Sequence, residues 1–352
     1  MSERGICGDH TLSEMLEHRK LMSLGASLVV TLPKPWLTSN KLQKGGTVTV
    51  RVQRDQTLLI SPGVDIQKKK DILNLPVDAE ATENSIVRSI VAGFLDGYSS
   101  ILITSSNFLT FDQQRAIREI SRSLHMMIVK SDASQITLET LLDESKMSIH
   151  TSIERLHFVT YSMCRDIINS LKNPDKGWII SVISLEDDID NLTFLILRII
   201  RLAAIRPTLA SKLGIDPIDC LDIQTLVHRI ERIADHVTIM ANSLIDLTDK
   251  GVEISQEVLS ILLESACVAF ASYDQAVTSF LLRDVTNTDD IIDKENEIEE
   301  LYLKITPLPY EGDLKDTSSI SNIVLIRESI RKISHYAADI AELTINRTYN
   351  LS

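Results

Sequence analysis

Two pairs of carboxylates at helical spacing are the residues of this 352-residue chain best suited to chemistry. Glu186 and Asp190 stand four apart, so on a helix they share one face, and Asp187 joins its edge. Glu231 and Asp235 repeat the spacing further along. Like charges four apart disfavour a helix by a few tenths of a kcal/mol per pair. No Lys or Arg lies between Lys176 and Arg198 to relieve the first pair, while Arg229 and Arg232 flank the second. Val227, Ile230, Ala234, Val237, Ala241 and Leu244 mark the buried stripe of that later helix, which places Glu231 and Asp235 beside its apolar seam. Two antiparallel helices would bring both pairs together. Carboxylates converging in that way require protons or cations, and oxygen donors suit Mg²⁺, Ca²⁺, Mn²⁺ or an iron-type ion. The same acids also suit a solvated helix face or the start of a helix, where the macrodipole favours them. Spacing alone leaves these readings open.

Other chemistries find no support. GxSxG, HExxH and P-loop patterns are absent. Glu154-x-x-His157 occurs once, whereas ferritin-type di-metal sites need that motif on two helices. No enzyme is expected. The four cysteines, Cys7, Cys164, Cys220 and Cys267, form no CxxC and are expected to be small hydrophobes in a reducing cytosol. Arg198 and Arg201 interrupt the apolar run from Leu192 to Ala204. No run reaches the roughly 18 residues of a membrane span, and the first residues, MSERGICGDH, lack the apolar stretch of a signal peptide. A cytoplasmic protein without membrane insertion is expected.

The elements that must position the acids are helices. From Thr137 onward, segments near 137–172, 177–213, 217–248, 254–283, 287–305 and 316–348 carry apolar stripes at helical period. Breaks fall at Asn173-Pro174, Gly214 to Pro217, Gly251, and Pro307 with Pro309. Six helices with short connections predict two three-helix bundles packed as one body. The bundles are copies: LEDDIDNL (185–192) aligns with KENEIEEL (294–301), and HRIERIADH (228–236) with SIRKISHY (329–336). The second copy keeps Glu295 and Glu299 but puts Arg331 and His335 where the first has Glu231 and Asp235. An arginine there repels a cation and can instead pair with Glu295 or Glu299, so this half is expected to have lost or remodelled the site.

The duplicated unit, with its ExxxD pattern on the second and third helices, resembles the PhoU family over 137–352, most specifically at IERIADH (230–236). The resemblance implies a metal-binding surface at Glu186, Asp187, Asp190, Glu231 and Asp235, holding a divalent or iron-type ion.

Upstream lies a basic, β-rich stretch, residues 19–62, in a chain of net charge −13. No acid occurs from His18 to Gln53, while Arg19, Lys20, Lys34, Lys41, Lys44 and Arg51 fall within it and Arg54 follows. Leu28 to Leu32, Thr47 to Val52 and Leu58 to Ile60 read as strands. Pro35-Trp36-Leu37 can open a short helix, and Gly45-Gly46 form a turn. So small a module buries little core alone, which points to dimerisation. LGxSLxVTLPKxW (24–36), then LxKG (42–45) and VxV (48–50), resembles the AbrB/SpoVT swapped-hairpin family in the form that archaeal proteins fuse to PhoU domains. Where that family reads Gly-Asp, this chain reads Gly45-Gly46. The resemblance implies an interlaced homodimer that presents its basic residues to DNA.

Between head and body, amphipathic segments 84–96 and 112–124 alternate with strands at Ile101 to Ile103 and Met126 to Val129. This small α/β unit has no phosphate loop and no nucleophile motif, so a spacer or packing role is expected. The chain therefore reads as multidomain and mainly α: an AbrB-like head (1–66), an α/β linker domain (67–136) and two PhoU-like repeats (137–250 and 251–352). The expected function is phosphate-responsive regulation of phosphate uptake, with DNA bound by the head. The alternative is an adaptor that docks on a phosphate transporter or kinase, with a head that only dimerises.

Overall fold

Short alternating strands form the N-terminal part of the chain, and long apolar-striped helices form most of the rest. The computed structural model describes residues 17–52, 56–63, 72–78, 80–305 and 317–349. The chain divides into two compact units, Met1–Lys69 and Lys70–Ser352.

In the first unit, β1 (Met22–Leu24) and β2 (Ser27–Val29) form an antiparallel hairpin. Its turn uses Gly25 at φ +60°, a conformation glycine adopts readily. Pro33 and Pro35 open α1 (Lys34–Ser39), and β3 (Val48–Val52) pairs antiparallel with β4 (Leu58–Pro62), Val50 opposite Ile60. The sequence did not announce β1. The run expected at Leu28 to Leu32 ends at Val29, because the three residues of β1 offer partners only to Ser27–Val29. Among the described residues of this unit none is buried. Leu24 is 70% exposed, Leu28 67% and Val52 64%. Two-stranded sheets with no buried face are at best marginal in water.

The second unit begins with a two-layer arrangement. β5 (Ile72–Pro76), α2 (Glu83–Leu95), β6 (Ser100–Thr104), α3 (Phe111–Ser123), β7 (Met126–Ser131) and β8 (Gln135–Thr140) follow in order. The sheet runs β5-β6-β8-β7, with β5 parallel to β6 and the other pairs antiparallel. Thr82 caps α2, and Thr110 with Gln113 forms a capping box on α3. Ile90, Ile101, Ile103, Ile117, Ile136 and Leu138 are fully buried between sheet and helices. Gly93 permits the close approach of α2, since a Cβ there would lie 2.4 Å from the Leu73 side chain.

One sequence-derived boundary needs correction here. The α/β unit does not stop at 136, because β8 crosses that point. Ile136 and Leu138 alternate inward as a strand, and the helix expected from 137 starts only after the Ser148 cap. The strand β5 also escaped the sequence reading, being short and ended by Pro76.

The helical body comprises α4 (Ile149–Lys172), α5 (Lys176–Ile205), α6 (Pro207–Leu213), α7 (Pro217–Asp249), α8 (Gln256–Leu282), α9 (Thr288–Ile305) and α10 (Thr317–Tyr349). The helix expected over 177–213 is broken at Arg206. Pro207 lacks an N–H and pushes the preceding residue out of helical geometry, to φ −123°, ψ 90°. α4, α5 and α7 pack as one three-helix set and α8, α9 and α10 as another, joined mainly along α7–α10 and α4–α8. A single hydrophobic core runs through both. Asp219, 4% exposed, accepts from Arg283 at 3.1 Å and Arg347 at 3.0 Å, tying the start of α7 to the ends of α8 and α10.

A buried charge pair joins the body to the α/β layer. Arg198 of α5 is 1% exposed and Glu144, in the single 3₁₀ turn before α4, is 3% exposed. Arg198 donates from Nε at 3.1 Å and Nη2 at 2.9 Å to Glu144 Oε1. It also donates to the carbonyls of Phe94, Gly97 and Tyr98 at the end of α2. Removing one partner of such a pair leaves an uncompensated buried charge or orphaned carbonyls. We expect Arg198→Met to lower unfolding free energy by about 3–5 kcal/mol, and Glu144→Gln, which still accepts, to cost less. Urea unfolding followed by circular dichroism checks both.

Candidate functional site

The α5–α7 seam carries the five acids singled out from sequence. Their helical spacing and the apolar stripes that pack α5 on α7 set where they stand. Glu186, Asp190, Glu231 and Asp235 are each partly buried, and Asp187 lies exposed at the edge. The groups act on one another across the two helices. Burial first, then the charges of Glu186, Glu231, Asp235 and Asp187, push the Asp190 carboxyl up from its ordinary 3.8 to about 6. Burial, and next Asp235, raise Glu186, with partial relief from the neighbouring Thr238 hydroxyl. Glu231 rises for the same two reasons.

Relief from cations is small. Arg232 pairs with Asp235 at 3.0 Å and approaches Glu231 at 3.9 Å. Arg229, which flanks the acids in sequence, turns instead to Asp339 on α10 at 3.0 Å. Negative charge therefore converges here, which suits a proton or a hard cation held by oxygen donors. The donor atoms converge less: among the described residues no three His, Cys, Asp or Glu groups stand close enough to hold a metal ion. The electrostatics fit a cation; the side-chain placement fits one only after rearrangement.

The second repeat answers the same charge problem internally. Arg331 on α10 pairs with Glu299 on α9 at 3.5 Å, and His335 pairs with Glu295. These are the positions aligned with Glu231 against Asp190 and Asp235 against Glu186. Arg331 also binds Glu328 at 2.8 Å and lies 4.9 Å from the Tyr302 ring. An arginine and a histidine thus stand where the first repeat leaves acids facing one another.

The lone Glu154-x-x-His157 pattern builds no metal site. Glu154 pairs with His150 at 3.2 Å, while His157 Nε2 meets Asp274 of α8 at 3.0 Å. It serves to join α4 to α8.

Of the basic head residues, Arg19 and Lys20 precede β1, Lys34 opens α1, and Lys41 and Lys44 flank the turn into β3. All five are exposed, and Arg19 is engaged by Glu17. Arg51 lies in β3, and Arg54 falls outside the described residues. Sequence reasoning missed Arg198, Glu144 and Asp219. The one available signal was a charge inside the apolar run from Leu192 to Ala204.

Two family models match the chain. The PhoU domain matches residues 153–244, and the antidote-toxin recognition MazE, bacterial antitoxin model matches residues 22–69. The chain thus carries a PhoU domain and a MazE/AbrB-like module, as the two sequence resemblances imply, and the first match spans all five acids. Among solved structures, the phosphate transport system regulatory protein PhoU from Streptococcus pneumoniae is 16% identical, with TM-score 0.47, covering 58% of this chain and 95% of that one. PhoU from Pseudomonas aeruginosa is 20% identical, with TM-score 0.46, covering 56% and 93%. No curated protein matches. No helix among the described residues is long and apolar enough to cross a membrane.

Asp190 sets a pH dependence. Its folded-state pKa lies above the unfolded value, so folding takes up a proton and stability falls as pH rises from about 4 through about 6. Asp190→Asn removes that burden. With a chelator present, it should raise stability at pH 8 by on the order of 1 kcal/mol, discounted for solvent screening. At pH 4 it should change little. Thermal melts at the two pH values check the sign.

Proposed function

We propose that the chain is a phosphate-responsive regulator whose head binds DNA as a homodimer and whose PhoU-type body senses or relays a signal that controls phosphate uptake. One observation carries the reading. The described head has no buried residue, yet it concentrates Lys34, Lys41 and Lys44 in an acid-free stretch of a chain of net charge −13. A second copy would cover Leu24, Leu28, Val52 and Leu58 by interlacing its hairpins, an isologous contact in which each chain supplies what the other lacks. The lysines of two heads would then neutralise DNA phosphates, with sequence read through base edges or DNA shape. The acidic body repels the duplex and confines contact to the head.

The acids of the first repeat are the sensing element of this reading. Glu186, Asp190, Glu231 and Asp235 would hold a hard cation, with Asp187 at the rim. The ion would neutralise charge that the second repeat meets with Arg331. An adaptor that docks on a transporter component or kinase, with a head that only dimerises, is the competing outcome.

Two measurements separate these readings. Fluorescence anisotropy of the full chain with duplex DNA should show affinity falling steeply with salt. The triple variant Lys34→Ala/Lys41→Ala/Lys44→Ala should make the log–log slope shallower by about one for each phosphate that is no longer neutralised. A dimeric chain that shows no salt-dependent binding sinks the DNA reading and leaves the adaptor. For the ion, native mass spectrometry after Mn²⁺ or Fe²⁺ loading should find bound metal that Glu186→Ala/Asp190→Ala loses. Equal metal content in both removes the site.

A further inference from the structure

The sheet of the α/β layer has one face covered and one open. Ile101, Ile103, Ile136 and Leu138 turn toward α2 and α3 and are fully buried. Successive strand residues alternate faces, so the opposite face carries Ile72, Leu102, Thr137 and Met127 across its four strands. Ile72 is 52% exposed and Met127 48%, and the bulge of β7 at Val129 adds another apolar side chain, 44% exposed. The strands place one acid, Glu139, and one base, Lys130, on this face. In a chain of net charge −13 it is a place where two copies can approach without strong like-charge repulsion.

The size of the face limits what can cover it. Four strands about 4.8 Å apart and five residues long span roughly 300 Å², well below the ~800 Å² per partner of a stable free interface. A partner arriving by diffusion would not stay. A tethered one would. Gly63 ends the described head and Ile72 begins β5, and the eight intervening residues reach at most about 30 Å. Two heads joined as a dimer therefore hold two such faces at an effective concentration near the millimolar range. That singles out one occupant.

We propose that the open face of the β5-β6-β8-β7 sheet packs against the same face of a second copy of this chain, as an isologous contact. This rests on the reading of the head as a dimer. Thr137 lies near the centre of the face and would approach its symmetry mate at sheet-packing distance, ~10 Å.

The test uses the full chain with Cys7→Ser and Cys267→Ser, since Cys164 and Cys220 are buried. Thr137→Cys and, separately, Phe158→Cys on the exposed surface of α4 are treated with a short bismaleimide, and the mass of each untreated protein is measured by sedimentation. The expected result is a dimer in which Thr137→Cys cross-links at least about tenfold faster than Phe158→Cys, an advantage that added Met127→Lys abolishes while the dimer persists. A dimer with equal cross-linking rates overturns the sheet contact and leaves the head reading standing. A monomer overturns both.

Discussion

The buried guanidinium of Arg198 is the constraint on which the second unit depends. It offers five N–H groups, and all are used: two on Glu144, and the rest on the carbonyls of Phe94, Gly97 and Tyr98. The chain leaving α2 at Phe94, Gly97 and Tyr98 thus finds its buried carbonyls met by donors from another helix. The Phe94 ring lies 4.7 Å from the same cation, and a Cβ on Gly97 would collide with Leu202. The α/β layer is fixed on α5 by charge, hydrogen bonds and shape at one spot. The same helix α5 carries Glu186 and Asp190 to the seam with α7. Its lower half presents the acids and its upper half anchors the neighbouring layer.

The two repeats show how one fold can meet the same electrostatic problem in two ways. In the first, carboxylates face one another and the Asp190 carboxyl is held near a pKa of about 6. In the second, Arg331 and His335 occupy the aligned places and pair with Glu299 and Glu295. Arg331 supplies a fixed charge that no cellular condition removes. Around the acids of the first repeat Arg232 pairs with Asp235 and approaches Glu231, while Arg229 turns away to Asp339, so the raised Asp190 carboxyl makes its charge depend on pH. The two arrangements sit on one common hydrophobic core.

Much of this was legible in the residues. The 3.6-period stripes located α2, α3 and the long body helices, and the repeated ExxxD spacing located the acids. The alignment of the repeats gave the Arg331 pairing before any geometry did. The failures have physical causes. β1 and β5 are short and carry little period-2 signal, and Ile136 with Leu138 is too brief a pattern to separate a strand from a helix start. Arg206 left helical geometry because of Pro207, a break hidden in an otherwise continuous stripe. Arg198 read as an interruption of an apolar run, since a sequence does not show which carbonyls will meet it. The spacing of the acids fixed their shared face but not their donor-to-donor distances, which depend on rotamers.

The head poses the plainest physical question. Its strands alternate as if for a core, and yet Val50, Val52 and Leu58 are exposed on sheets too small to stand alone. A second copy that interlaces its hairpins would supply the missing half. Equilibrium sedimentation of the full chain tests this directly. The account predicts a species of twice 39.4 kDa, and a Val52→Glu/Leu58→Glu variant that falls to a monomer whose head amides exchange freely. A wild-type monomer of 39.4 kDa with protected amides in β3 and β4 would contradict it.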